Sequence, residues 1–406
     1  MTSKKVRGFF LVFTLTFCLM FTPFYQGISI TEQATTLPHS LISQLTGKNA
    51  LSDSTPFDVN GTDLGIIIKY HGEYRYIFGD TFGFGEDKVN NWRSNTMAFS
   101  FDKYPRDGIT IDGWIVNPSS GYAKELISSL KINNKEKTCI PTAAVSMDDK
   151  IYIYYMSVNH WGGGGQWFCN NASIAVSLDG GQTFAKMNNI SWPGNSKFIQ
   201  FGLVQKSQVL SAEDYLYFLA TPSGRFNACH LCRVPPSQIL NQGAYEYYVD
   251  SYFSGDPIWG SDYTAALEIF PSPVGELSIM WNSFLQKWTV FYMDNVQFAI
   301  VLRTADHLWG PWSAPHKITT AAQYPTLYGS YIHPDFVENN GETVYFIMSL
   351  YSVYNTFVMS VDLQSLAATN TLSPTSSTDF QIFKMLFLVE SVLLIRVLII
   401  IRKKSK

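Results

Sequence analysis

The chain has 406 residues, room for one large all-β domain with terminal appendages or for two ordinary domains. Charged residues make up only 15% and aromatics also 15%, a balance that favours strands and sugar-stacking surfaces over long charged helices. A net charge of -3, with no basic run inside the body, excludes a nucleic-acid partner.

The N-terminus, Met1-Thr2-Ser3-Lys4-Lys5-Val6-Arg7-Gly8, is a basic stretch followed by an apolar run over 9–21 and by Thr22-Pro23. Residues 1–27 therefore read as a signal peptide or signal anchor, which sends the body into the secretory pathway, to be secreted or displayed at the cell surface. Residues 28–56 carry no strong pattern of their own.

From about 57 to 363 short apolar, β-branched and aromatic runs alternate with Gly, Asn, Asp and Pro turns, without long helical periodicity. Five blocks of about sixty residues result, the spacing of four-stranded propeller blades, so the fold expected is a five-bladed β-propeller. The strands fall at 64–70, 74–79, 96–101 and 114–116; at 142–146, 151–158, 172–177 and 184–187; at 204–210, 215–220, 228–234 and 245–249; and at 277–281, 288–293, 299–303 and 312–318. The fifth block has three, at 335–337, 343–349 and 355–361, and its fourth strand must come from 28–56, which removes an exposed edge. Ser177-Leu178-Asp179-Gly180-Gly181-Gln182-Thr183-Phe184 resembles the Asp-box of sialidase-type propellers, a turn marker to which no catalytic role is assigned.

Residues 364–384, rich in Ser, Thr and Asn, read as a linker. The apolar stretch 385–401, broken by Glu390 and Arg396 and followed by a basic end, is either a transmembrane anchor or an interfacial helix. Cys139, Cys169, Cys229 and Cys232 are an even set in an oxidising compartment, so disulfides are expected. Cys229-His230-Leu231-Cys232 lacks a second ligand pair at zinc spacing, and neither a metal nor a cofactor is expected. Sequons at Asn60, Asn171 and Asn189 fit a lumenal route.

In an up-and-down blade the start of the inner strand and the loop after the second strand meet at one face. Asp63 and Asp80 then stand nearly opposite each other across the first hairpin, and like charges that close raise one pKa. Glu276 and Asp294 repeat the pattern in the fourth block, and His333 precedes the fifth. Two carboxylates flanking a glycosidic bond are what its hydrolysis needs. Trp92, Arg93, Asn95, His160, Trp161, Gln166, Arg225 and Tyr351 lie on loops of the same face, where aromatic rings stack on sugars and polar groups bond hydroxyls. Gly162-Gly163-Gly164-Gly165 is either a lid or a turn.

Asn60-Gly61-Thr62-Asp63-Leu64-Gly65, Phe78-Gly79-Asp80-Thr81-Phe82-Gly83, Tyr155-Met156-Ser157-Val158, Trp161-Gly162, Thr221-Pro222-Ser223-Gly224-Arg225, Gly275-Glu276-Leu277-Ser278 and Gly310-Pro311-Trp312-Ser313 follow one another over nearly the whole body. On these motifs rests a resemblance to the domain-of-unknown-function 4185 family, secreted propellers some of whose members are endo-acting D-arabinanases. It implies a glycoside hydrolase acting on a furanose-containing polysaccharide. By analogy with similar five-bladed furanosidases, Asp63 is the expected base or nucleophile and Glu276 the expected acid, with Asp80 tuning Asp63. Two other readings stand beside it. A sialidase-like enzyme needs an arginine cluster and a Tyr nucleophile, and a non-catalytic, lectin-like surface propeller needs only the sugar-binding face.

Overall fold

The computed structural model describes residues 36–84, 91–205 and 214–370. The expected signal segment 1–27 and the apolar segment 385–401 lie outside the described residues. What is described is almost wholly strand, with 3-10 turns and one short helix, Gln364–Asn370.

β1 (His39–Gln44) comes first in the chain. β2 (Gly61–Tyr70), β3 (Glu73–Phe82), β4 (Thr96–Ser100) and β5 (Gly113–Trp114) form a four-stranded antiparallel sheet in sequence order. β6 (Thr138–Met147), β7 (Lys150–Trp161), β8 (Trp167–Ser177) and β9 (Ala185–Pro193) form a second. A third run of antiparallel neighbours contains β10 (Gln200–Gln205), β11 (Leu216–Thr221), β12 (Asn227–Val234), β13 (Glu246–Ser251) and β14 (Pro257–Gly260), with β15 (Glu268–Val274) also paired to β12. β16 (Leu277–Asn282), β17 (Lys287–Asp294), β18 (Ala299–Ala305) and β19 (His316–Thr320) continue that sheet through a short parallel pairing of β10 with β16 at Val204–Ile279 and Gln205–Met280. In the last sheet β20 (Leu327–Glu338), β21 (Thr343–Leu350) and β22 (Asn355–Asp362) accept β1 on the far side of β22, so chain start and chain end share one sheet. β2 lies against β6 and β20, β6 against β10, β10 against β16, and β16 against β20.

Local chemistry explains the hairpins. Tyr70 pairs with Glu73 across the two-residue loop His71-Gly72, both at positive φ (47° and 86°), the requirement of a tight turn whose twist matches the strands. Asp148-Asp149 repeats this between Met147 and Lys150. Between the sheets the core is aromatic: Trp192, Tyr154, Phe201 and Phe218 are fully buried, with ring centroids 4.7 to 5.0 Å apart from Tyr154 to Phe218, Trp192 to Phe201 and Tyr154 to Phe201.

Four features differ from the sequence reading. The inner strand of the last sheet starts at Leu327, eight residues before the expected Asp335, because Thr326 (φ 66°) and Gly329 (φ 64°) give its first turn the look of a loop. β14 and β15 are additional strands. The expected linker begins as a helix: Asp362 Oδ1 accepts the Gln364 N–H at 2.7 Å and Leu366 is buried. The four body cysteines are free thiols, and the strand register explains why. Cys139 and Cys169 pair with Ser157 and Val158 of β7, which lies between them, so they are two strand spacings, roughly 10 Å, apart, too far to bridge. Cys229 and Cys232 lie three apart on β12 and enter separate core clusters on its opposite faces.

Candidate functional site

The starts of β2, β6, β10, β16 and β20 and the ends of their partner strands surround a cavity of about 1100 Å³. The Asp179 turn is at the other end of β2, where Gly180 packs against Tyr70. Asp63 sits at the cavity floor, where the backbone is irregular. The β2–β3 register shifts between Thr62 and Leu64 and again between Leu64 and Ile66, and Leu64 (φ 68°) and Gly65 (φ 107°) are both left-handed. A leucine held there is strained, and strain of this kind gathers at functional sites. The Leu64 N–H donates to Ser349 Oγ at 2.9 Å.

The Asp63 carboxyl is held by side chains from the neighbouring sheet. Oδ2 accepts from the Tyr328 hydroxyl at 2.8 Å and from the Tyr354 hydroxyl at 3.2 Å. Oδ1 lies over Gly79, where a Cβ would be only 2.3 Å away, and it is shielded from solvent without any hydrogen-bond partner. An orphan carboxylate oxygen is the kind of buried polar atom that calls for a functional explanation. Burial, reinforced by Asp80 and Glu276, pushes the Asp63 pKa up to about 7 against the pull of the two tyrosines.

Across the hairpin, Asp80 Oδ1 accepts from Trp92 Nε1 at 2.8 Å and from Thr138 Oγ1 at 2.6 Å. Burial pushes its pKa up to about 6, while Thr138, Trp92 and Lys131 pull the other way. Behind Asp80 the Lys131 and Lys137 ammonium groups lie 4.9 and 5.1 Å from the centre of the Trp92 ring. Glu276 faces this pair and is gripped by Arg225, whose Nε lies 3.1 and 3.0 Å from Oε1 and Oε2 and whose Nη2 lies 2.7 Å from Oε1.

The cavity brings together Asp63, Asp80, Glu276, Arg225, Trp161, Gln166 and Tyr351. Trp161 and Tyr351, 42% and 68% exposed, offer ring faces at the rim. The glycine run 162–165 is a hairpin turn closed by Gly162 N–H to Gln166 O at 2.9 Å, and the Arg225 N–H donates to Gly165 O at 2.9 Å. Trp92 stands one layer behind, on Asp80. Arg93, Asn95, His160, Asp294 and His333 are not among the lining residues. Arg93 is buried, with Nη2 donating to Asp58 O at 2.6 Å. Asn95 uses its whole amide on the backbone of Leu126, Ile127 and Cys139. His160 bonds Asn159 and stacks on Phe168 at 4.5 Å. Asp294 caps its own turn through the N–H groups of Val296 and Gln297. His333 lies well along β20, packed edge-on to Tyr74 at 5.5 Å, with burial pressing its pKa down to about 4. Tyr328 and Tyr354, which touch Asp63, take the place on the last sheet that the sequence reading gives to His333.

A family model described as a domain of unknown function (DUF4185) matches residues 49–360. The chain belongs to the DUF4185 family. No curated protein sequence matches it. Among solved structures this DUF4185 chain is similar to a Bacteroides ovatus protein provisionally named a hydrolase, with 12% identity, TM-score 0.55, and 79% of this chain and 89% of that one covered. It is also similar to an exo-β-1,3-galactanase of Phanerochaete chrysosporium, solved with β-1,3-galactotriose, with 11% identity, TM-score 0.50, and 80% of this chain and 65% of that one covered. At these identities the likeness is one of fold.

Proposed function

We propose that the DUF4185 chain is a glycoside hydrolase, built as a five-bladed propeller with the ten-stranded sheet counted as two blades, that cuts a furanose-containing polysaccharide such as D-arabinan outside the cell. The observation that carries this reading is the Asp63–Asp80 pair: two carboxyls across one hairpin, both lifted toward neutral pH, at the floor of a cavity with exposed aromatic rims. The structural likeness to a galactanase supports the reaction class.

The roles divide by environment. Asp63, with the higher pKa of the two, carries the proton that the leaving oxygen needs. Asp80, whose ionised form is favoured by the Trp92 N–H and the Thr138 hydroxyl, attacks the anomeric carbon. Asp80 is near enough across the irregular start of β2 to raise the Asp63 pKa, and in the double displacement proposed one carboxyl attacks while the other shuttles the proton. Asp63 then takes a proton from the water that releases the sugar. Glu276, which the analogy with five-bladed furanosidases casts as the acid, is committed to the Arg225 fork and serves binding instead.

The sialidase alternative loses support, because Arg225 is the one arginine among the lining residues and its fork is occupied. The test is NMR of the product first released from a D-arabinan oligosaccharide. Retained anomeric configuration is expected, and inversion or no cleavage rejects this mechanism.

A further inference from the structure

Arg225 is built as a carboxylate seat. Its guanidinium lies over two aromatic rings, 5.6 Å from the centre of Trp167 and 5.1 Å from that of Tyr328. Gly275 leaves room for its stem, since a Cβ there would come within 3.0 Å of Arg225 Cγ. A planar guanidinium in such a slot presents two parallel donors, the arrangement that recognises the carboxylate of a peptide or an acidic sugar. The slot is filled from within: Glu276, from the residue next to Gly275, takes Nε and Nη2 at 2.7 to 3.1 Å, and the two side chains are only 17% and 10% exposed. Among the lining residues there is no lysine or histidine, and the other carboxyls are Asp63 and Asp80. The cavity therefore holds an excess of negative charge, with its one cation already neutralised.

We propose that Glu276 is a specificity-determining residue that occupies the carboxylate seat on Arg225, so that the cavity accepts uncharged glycans and rejects uronate- or sialate-containing ones. This rests on the glycosidase reading of the cavity. A uronate would have to displace Glu276 from Arg225 and leave that carboxylate unpaired beside Asp63, whereas a neutral sugar only needs donors and acceptors for its hydroxyls.

Calorimetric binding of galacturonate oligomers and of D-arabinan oligosaccharides to the wild-type chain and to Glu276→Gln tests it, with thermal melting to verify folding. The wild type should bind the neutral oligomer and give no heat with galacturonate, and Glu276→Gln should bind galacturonate at least about tenfold more tightly than the wild type, the scale of one charge-assisted contact. A second variant, Glu276→Ala, opens a hole beside Arg225 that a small carboxylate fits, so acetate should raise its melting temperature and leave the wild type unmoved. Equal galacturonate binding by wild type and Glu276→Gln, or no response of Glu276→Ala to acetate, overturns the proposal. Cleavage of D-arabinan by the wild type is read separately: its absence rejects the glycosidase reading, while the galacturonate and acetate arms still decide what Glu276 does.

Discussion

The Tyr328 hydroxyl donates to Asp63 Oδ2 at 2.8 Å, so a residue at the start of β20 holds the carboxyl that begins β2 in the neighbouring sheet. Both Tyr328 and Tyr354 have pKa values pushed well up, by burial first and by Asp63 next, and stay neutral donors. A donor to the carboxylate favours its ionised form, so Tyr328→Phe should raise the Asp63 pKa above its present value of about 7. The alkaline limb of the kcat/KM profile should move up by about one unit, the scale of one hydrogen bond to a charged group. A residue that merely packs there would lower activity without moving the limb.

The proposed roles predict a bell-shaped profile. Activity needs Asp80 ionised and Asp63 protonated, so it should rise near pH 6 and fall near pH 7, as macroscopic values of the pair. An aryl glycoside with a good leaving group should relieve Asp63→Asn in the first step and leave Asp80→Asn inactive. Rescue of Glu276→Gln by that substrate, with none for Asp63→Asn, would return the acid role to Glu276.

Both carboxyls also set a pH dependence of stability. Each titrates near 3.8 when free and near 6 or 7 when folded, so the folded protein keeps protons that the unfolded chain has released. Their contribution favours folding at low pH and is lost as pH rises from about 4 through 7. Asn cannot ionise, so Asp63→Asn should be more stable than the wild type at pH 8, by about 2–4 kcal/mol after allowing for partial exposure, and not at pH 3.5. Denaturant titrations at the two pH values check this.

Gly79 gives Asp63 its place. A Cβ at 79 would come within 2.3 Å of Asp63 Oδ1, so Gly79→Ala must push the carboxyl aside. A drop of about a hundredfold in kcat is expected, with KM nearly unchanged; wild-type kcat would show that the aim of this carboxyl is unimportant.

How much of this was legible depends on the element. The β2–β3 hairpin follows from its β-branched runs and from His71-Gly72, and with it came Asp63 and Asp80, because carboxylates at strand ends flanking a tight turn fall together. The cradle from the last sheet was not legible. Tyr328 precedes Gly329-Ser330, which resembles a turn, and only the register of β20 with β21 shows that it begins an inner strand. Asp294 and Asn95 look like site residues because they are polar and near strand ends, yet Asp294 caps its own turn and Asn95 spends its amide on more distant backbone. The Arg225–Glu276 pair joins residues 51 positions apart, and spacing alone could not tell a free acid from one committed to a guanidinium.

A size-exclusion time course of D-arabinan with the wild-type chain, Asp63→Asn and Asp80→Asn under identical conditions tests the roles of the two carboxyls most directly. The wild type should shorten the polymer, and each variant should be slower by a factor of about a hundred to ten thousand. Undiminished depolymerisation by either variant would contradict these roles.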